Sequence, residues 1–377
     1  MVHAKASAPD LTLVIDFGGS MTKVIYRDDD AQPQLLVMEP EVISLNKEVI
    51  EGYEARKMGH PDAVNSAWVG CDSSYYAVGY LARSQFYGNA GLSSHKYERA
   101  FAKTLAAVWV VAQLQGLTKK KKLKVAIAVL LPAGELENAQ QLRADITDGL
   151  KEFETPTGTM RVALTHYECK PEGGGVYMVY AKNQGSLALK TKTIAVVMVG
   201  YRNASILVAA RGVVGKRETS ELGFIRLVEL VKGSISTLVT TARIASVIAL
   251  SGESIKTAPL MSLAMSSREE VRREEVNKLA SAIELARSQY LLTLASWFRD
   301  TLPKELDEII LCGGTAYYLK ESLQKHFNGV QVIWDGDMEL PESLQDEELG
   351  RRICDAYGMY QYFLSRIGRV GIKESVG

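Results

Sequence analysis

No stretch of this 377-residue chain approaches eighteen consecutive apolar residues, and residues 1–10 hold no apolar signal core. Neither a membrane-spanning helix nor a secretory leader is expected. Cysteine is scarce: Cys71, Cys169, Cys312 and Cys354 are far apart, form no C-x-x-C pair, and three of them sit in apolar stretches. That pattern argues against zinc and disulfides and for reduced thiols in a cytoplasm. An excess of either charge is also lacking, since Lys+Arg and Asp+Glu are 44 each. Nothing at whole-chain level points to a nucleic-acid or membrane surface, while zero net charge permits self-association. The one basic run, residues 119–122, has no aromatic or second basic cluster beside it and reads as a solvated loop.

What is present is a hydrophobic content of 47%, enough for two cores, and one dense motif. In residues 11–23 an apolar strand (Leu11, Leu13, Ile15) ends at Asp16, followed by Gly18, Gly19, Ser20 and Lys23. The acid suits a hydrated Mg²⁺, the glycines let the backbone turn tightly and aim N–H groups at phosphate, and Ser20 and Lys23 add a hydroxyl and a positive charge. Val24, Ile25 and Tyr26 read as a second strand, so the glycines form a hairpin tip and not the helix-opening loop of a Walker motif. About half a chain later the layout repeats, with an apolar strand at 193–199, then Gly200, Tyr201, Arg202 and Asn203, then a strand at 204–210. A third buried strand, residues 308–312, delivers Gly313, Gly314 and Thr315 into a helix expected from Tyr317 to His326.

Two phosphate hairpins and a later strand, glycine pair and helix resemble the actin-like ATPase superfamily, and within it most nearly the bacterial ParM/StbA plasmid-segregation actins. The segment Tyr76-Ala77-Val78-Gly79-Tyr80, the strand at 125–131 ending in Leu-Pro, Cys169-Lys170-Pro171-Glu172-Gly173, Thr219-Ser220-Glu221-Leu222-Gly223 and Ala356-Tyr357-Gly358-Met359-Tyr360 support it, over about residues 11–365. The resemblance implies an α/β, ribonuclease H-like duplicated fold of two domains, with ATP or GTP and Mg²⁺ in the cleft between them. It implies Asp16 at the metal, Gly18, Gly19, Ser20 and Lys23 at the phosphates, and Gly200, Arg202 and Asn203 on the second hairpin. Gly313, Gly314 and Thr315 would lie at the nucleoside. Glu172 matches the acid that orients the attacking water, although an ordinary loop acid is nearly as common.

The expected organisation is a polar, mobile tail at 1–10, domain I at 11–187 with an inserted subdomain at about 39–95 whose one clear strand pair lies around Trp68 and Tyr76, domain II at 188–348, and a closing helix at 349–377 that returns to domain I. Residues 28–30 read as a turn. A helix face runs through Tyr97, Phe101, Leu105, Val108, Val111 and Gln115, capped by Gly116, and residues 135–153 read as helix before a strand at 160–168. A long helix at about 267–300 carries Val276, Leu279, Ile283, Ala286, Tyr290, Leu294 and Trp297 on one face.

One departure separates the chain from the family pattern. The second hairpin normally reads Asp-x-Gly-Gly-Thr-Thr-x-Asp, and here both acids are absent from Met198-Val199-Gly200-Tyr201-Arg202-Asn203-Ala204-Ser205. Three accounts stand: Arg202 takes over part of the charge neutralisation, metal binding and turnover are weakened, or nucleotide is no longer hydrolysed. The resemblance implies a cytoplasmic homopolymer filament for plasmid segregation or a related cytoskeletal role, with a DNA-binding adaptor protein as partner and no direct nucleic-acid or membrane contact. A small-molecule phosphotransferase of the same superfamily and a non-hydrolysing scaffold are the alternatives.

Overall fold

The computed structural model describes residues 8–27, 32–235 and 239–373. Residues 1–7 of the expected tail and the expected turn at 28–30 lie outside them. The chain divides into two compact units, Met1–Tyr180 with Met338–Gly377, and Ala181–Asp337. The first runs β1 (Leu11–Phe17), β2 (Thr22–Arg27), β3 (Pro33–Met38), β4 (Val42–Leu45), α1 (Lys47–Arg56), β5 (Trp68–Cys71), β6 (Ser74–Val78) and α2 (Tyr80–Phe86). It continues through α3 (Tyr97–Leu114), β7 (Leu123–Leu131), α4 (Ala139–Lys151), β8 (Phe153–Thr155), β9 (Gly158–Met160), β10 (Val162–Pro171) and the first half of α5 (Gly174–Leu189), whose residues from Ala181 onward are counted with the second unit.

The second unit holds β11 (Thr193–Val199), β12 (Ala204–Ala210), β13 (Val213–Ser220), α6 (Phe224–Ser234), α7 (Thr241–Ser251), α8 (Thr257–Leu260) and α9 (Glu269–Thr301). It closes with β14 (Glu308–Cys312), α10 (Gly314–Tyr318), α11 (Lys320–His326) and β15 (Gln331–Trp334), and α12 (Cys354–Lys373) belongs again to the first unit.

The main sheet of the first unit has the order β10-β7-β1-β2-β3, with β1 antiparallel to β2 and parallel to β7. Its two faces follow from strand alternation. Leu11, Leu13, Ile15 and Phe17 join the core containing α3 and α4, whereas Val14 of β1, Ile25 of β2 and Ala126, Ala128 and Leu130 of β7 join the core containing α12. The same alternation puts Asp16 on the α12 face, and register pairs it directly with Lys23. The second unit repeats the topology as β15-β14-β11-β12-β13, with β11 antiparallel to β12 and parallel to β14.

Several sequence expectations are corrected. Residues 39–95 hold more than a strand pair: β4, α1, β5, β6 and α2 are present, and β8 and β9 complete a third five-stranded sheet, β4-β6-β5-β8-β9. Phe153 is therefore in a strand and α4 ends at Lys151, because Phe153 is drawn into the core of the first unit. The helix after the glycine pair begins at Gly314 and breaks at Leu319, earlier than Tyr317. On α9 the buried face runs from Leu294 to Phe298 and Thr301, and does not include Trp297. Among the described residues the four cysteines are free thiols, and no helix is long and apolar enough to cross a membrane.

Candidate functional site

The first hairpin is a four-residue loop, residues 18–21, between Phe17 and Thr22. Gly18 is required there, because a Cβ would lie 2.5 Å from the Met21 carbonyl oxygen. Lys23 Nζ pairs with Asp16 Oδ2 and donates to the Arg352 carbonyl at 3.1 Å, and Arg352 Nη2 donates to Ser20 Oγ at 2.7 Å. Asp16 and Lys23 are both buried. Burial alone would raise the Asp16 carboxyl; Lys23, Lys96 and Arg352 outweigh it and hold it below the usual carboxylate range. The charge on Asp16 is thus secured, and its Oδ1 is buried without a hydrogen-bond partner.

Glu172 sits immediately beyond β10, where its N–H donates to the Leu131 carbonyl at 2.9 Å. Its buried carboxylate pairs with Lys96 Nζ at the start of α3. Gly173 follows at φ +82°, and α5 begins at Gly174. The carboxylate of Asp355, in the first turn of α12, accepts the N–H of Gly173 at 2.7 Å and of Val176 at 3.1 Å. Burial first, with Asp16 and Glu172 adding to it, pushes the Asp355 carboxyl up to about 7 despite those two bonds. Glu135 accepts the Tyr97 N–H at 3.0 Å and so anchors the start of α3 near Lys96. Farther along α3, burial, with Lys96 and Arg99 adding, pulls the Lys103 ammonium down to about 7.

In the second unit, Gly200 donates its N–H to the Asn203 carbonyl at 2.8 Å, closing the hairpin tip. The tip carbonyls are then used by α6: Gly223 N–H reaches Arg202 at 3.1 Å, Phe224 N–H reaches Gly200 at 3.0 Å, and Ile225 N–H reaches Tyr201 at 2.9 Å. Gly223 makes this possible, since a Cβ there would stand 2.2 Å from the Arg202 carbonyl carbon. Thr315 Oγ donates to the Gly200 carbonyl at 2.7 Å. Gly313, at φ +96°, has no room for a Cβ, which would meet the Val199 carbonyl oxygen at 2.5 Å. Arg202 is buried, and Asn203 Nδ2 donates to the Ser220 carbonyl at 3.3 Å.

The structure thus brings Asp16, Ser20, Lys23 and Glu172 into one neighbourhood of the first unit, and Gly200, Arg202, Asn203, Gly313 and Thr315 into one neighbourhood of the second. Sequence reading missed Lys96, Lys103, Arg352 and Asp355. The available signals were faint: Lys103 is a charge inside the otherwise apolar face of α3, and Asp355 precedes the Ala-Tyr-Gly of α12. No cluster of three or more His, Cys, Asp or Glu side chains among the described residues is arranged to hold a metal directly. One buried carboxylate with a spare oxygen fits a metal bound through its waters, and the second hairpin adds no acid.

No family profile and no curated protein matches this sequence. Solved structures do. A 15-stranded ParM filament from Clostridium botulinum is 14% identical, with 95% of this chain and 100% of that chain covered and a TM-score of 0.61. The actin-like protein Alp7A is 13% identical over 97% and 99% of the two chains at a TM-score of 0.66. The AlfA filament from B. subtilis is 15% identical over 93% and 98% at 0.54. The fold is the actin-like two-domain α/β fold of the ParM type.

Proposed function

We propose that this chain is a ParM-like bacterial actin, cytoplasmic, that binds ATP or GTP with Mg²⁺ and polymerises into filaments for plasmid segregation or a related cytoskeletal task, reaching DNA through an adaptor protein. The observation that carries the reading is the buried Asp16–Lys23 pair at the base of a glycine hairpin, with Ser20 and Arg352 beside it. Filament structures among proteins of the same fold support self-assembly.

In this reading, N–H groups of Gly18, Gly19 and Ser20 contact the phosphates, and Lys23 and Arg352 supply positive charge there. Mg²⁺, when bound through water to Asp16, neutralises phosphate charge. Glu172, held by Lys96, orients the attacking water. Gly200 and Asn203 are assigned to phosphate contact, and Gly313, Gly314 and Thr315 to the nucleoside. Arg202 is assigned part of the charge neutralisation that the missing acids would have organised through a metal; Arg202→Ala then weakens triphosphate more than diphosphate by about one to two decades.

Light scattering and pelleting with and without ATP and Mg²⁺ test the reading, and phosphate release accompanies them. Nucleotide-dependent polymer with phosphate release supports it. A soluble chain that phosphorylates an added hydroxyl acceptor would make it a phosphotransferase. Assembly without phosphate release would make it a scaffold, the reading favoured by the acid-free second hairpin.

A further inference from the structure

The loop that presents Glu172 is held from three directions. Its N–H is fixed on the Leu131 carbonyl at 2.9 Å, its carboxylate is paired with Lys96, and the next N–H, that of Gly173, is bound by Asp355 at 2.7 Å. The second oxygen of Asp355 binds Val176 N–H at 3.1 Å, so one buried carboxylate fixes both the turn at φ +82° and the first turn of α5. It reaches them because α5 and α12 cross in near contact. A Cβ on Gly175 would stand 1.9 Å from the Asp355 carbonyl oxygen, and one on Gly358 would stand 2.3 Å from the Gly175 carbonyl oxygen. Three residues before Asp355, Arg352 touches the phosphate hairpin through Lys23 and Ser20. Residues 352–355 therefore join the glycine hairpin to the Glu172 loop, although they lie far from both in sequence.

We propose that Asp355 is a positioning residue for Glu172: its carboxylate sets the backbone from which the hydrolytic acid projects, and does not itself touch nucleotide. The proposal rests on the reading of Glu172 as the residue that orients water. Its geometric part stands independently, in the two N–H bonds.

The test uses the full chain with Asp355→Ala and Asp355→Asn, each alone and combined with Glu172→Ala. Expected for Asp355→Ala are faster amide exchange at Gly173 and Val176, a moved ¹³C shift of the Glu172 carboxyl, phosphate release slowed by about tenfold or more, and ATP affinity changed by less than about threefold. Asp355→Asn keeps one acceptor oxygen and restores part of the rate. In the Glu172→Ala background, Asp355→Ala slows release by less than about twofold further, since it acts through a group already removed. Unchanged exchange and an unmoved Glu172 shift overturn the proposal, as does a full additional loss in the double variant or a parallel loss of ATP affinity. A native chain that releases no phosphate overturns the hydrolytic reading alone; exchange and the Glu172 shift still decide what Asp355 holds. Should Asp355→Ala fail to fold, Asp355→Asn carries the same measurements.

Discussion

The Thr315 hydroxyl donates to the Gly200 carbonyl at 2.7 Å across 115 positions of sequence, tying the glycine pair after β14 to the second hairpin. The same carbonyl accepts the Phe224 N–H at 3.0 Å, so hairpin, α6 and α10 meet on one oxygen. Thr315→Val keeps the shape of this buried side chain and removes only the hydroxyl. It is expected to lower stability by about 1 kcal/mol, read as a shift in urea midpoint with an unchanged slope.

Gly313→Ala faces two costs at once, a φ of +96° that an L side chain rarely adopts and a Cβ placed 2.5 Å from the Val199 carbonyl oxygen. Backbone cannot yield as a flexible side chain does, so the loss is expected to be about 2 kcal/mol or more. Thermal unfolding measures it. Gly116→Ala, also at positive φ but with nothing within 4 Å of its Cβ, separates strain from collision.

Asp16→Ala leaves the Lys23 ammonium buried with the neutral Arg352 carbonyl, and no carboxylate, as its partner among the described residues. An uncompensated buried charge costs about 3–5 kcal/mol, so destabilisation is expected together with loss of nucleotide affinity or of nucleotide-dependent assembly. Calorimetry with ATP, with and without EDTA, gives the second half. Chelation should weaken ATP binding to the native chain and leave whatever binding the variant retains unaltered. An equal effect of EDTA on both would remove Asp16 from the metal site.

Two buried groups give opposite pH dependences. The Asp355 carboxyl, pushed from 3.8 up to about 7 by burial, holds a proton in the folded chain where the unfolded chain has lost it. Its contribution to stability is full below about pH 4 and declines to pH 7, by up to about 1.4 kcal/mol per pH unit. Lys103, pulled from 10.5 to about 7, is neutral in the fold where the unfolded chain is charged, so stability rises above pH 7. Asp355→Asn should flatten the falling limb alone, and Lys103→Met the rising limb alone, in urea titrations across the range.

Much of the frame was legible because it rests on local signals. Alternation in residues 11–17 and 193–199, glycine at the hairpin tips and the 3.6-residue stripe of α9 each declare an element without reference to distant chain. The insert was read poorly for the opposite reason. Residues 153–160 hold two three-residue strands, β8 and β9, that pair with each other and join the sheet through β8 on β5, more than eighty positions earlier, and only pairing makes them strands. Phe298 displaced Trp297 from the buried face of α9 because a stripe on a 33-residue helix drifts, and contact with Phe327 and His326 selects the final turn.

For the site, the sequence alone determined which residues end the two hairpin strands, that the second hairpin has no acid, and that Glu172 stands between a strand and a helix. These are facts of order, and strand alternation already implies that Asp16 and Lys23 share a face. Only the tertiary structure decided their company. Lys96, Arg352 and Asp355 reach the Asp16 and Glu172 region from the start of α3 and from a segment some 180 residues after Glu172, through helices that approach closely where Gly175 and Gly358 lack side chains. Charge and hydrogen bonding depend on distance in space, and no sequence spacing encodes a crossing between helices so far apart in the chain.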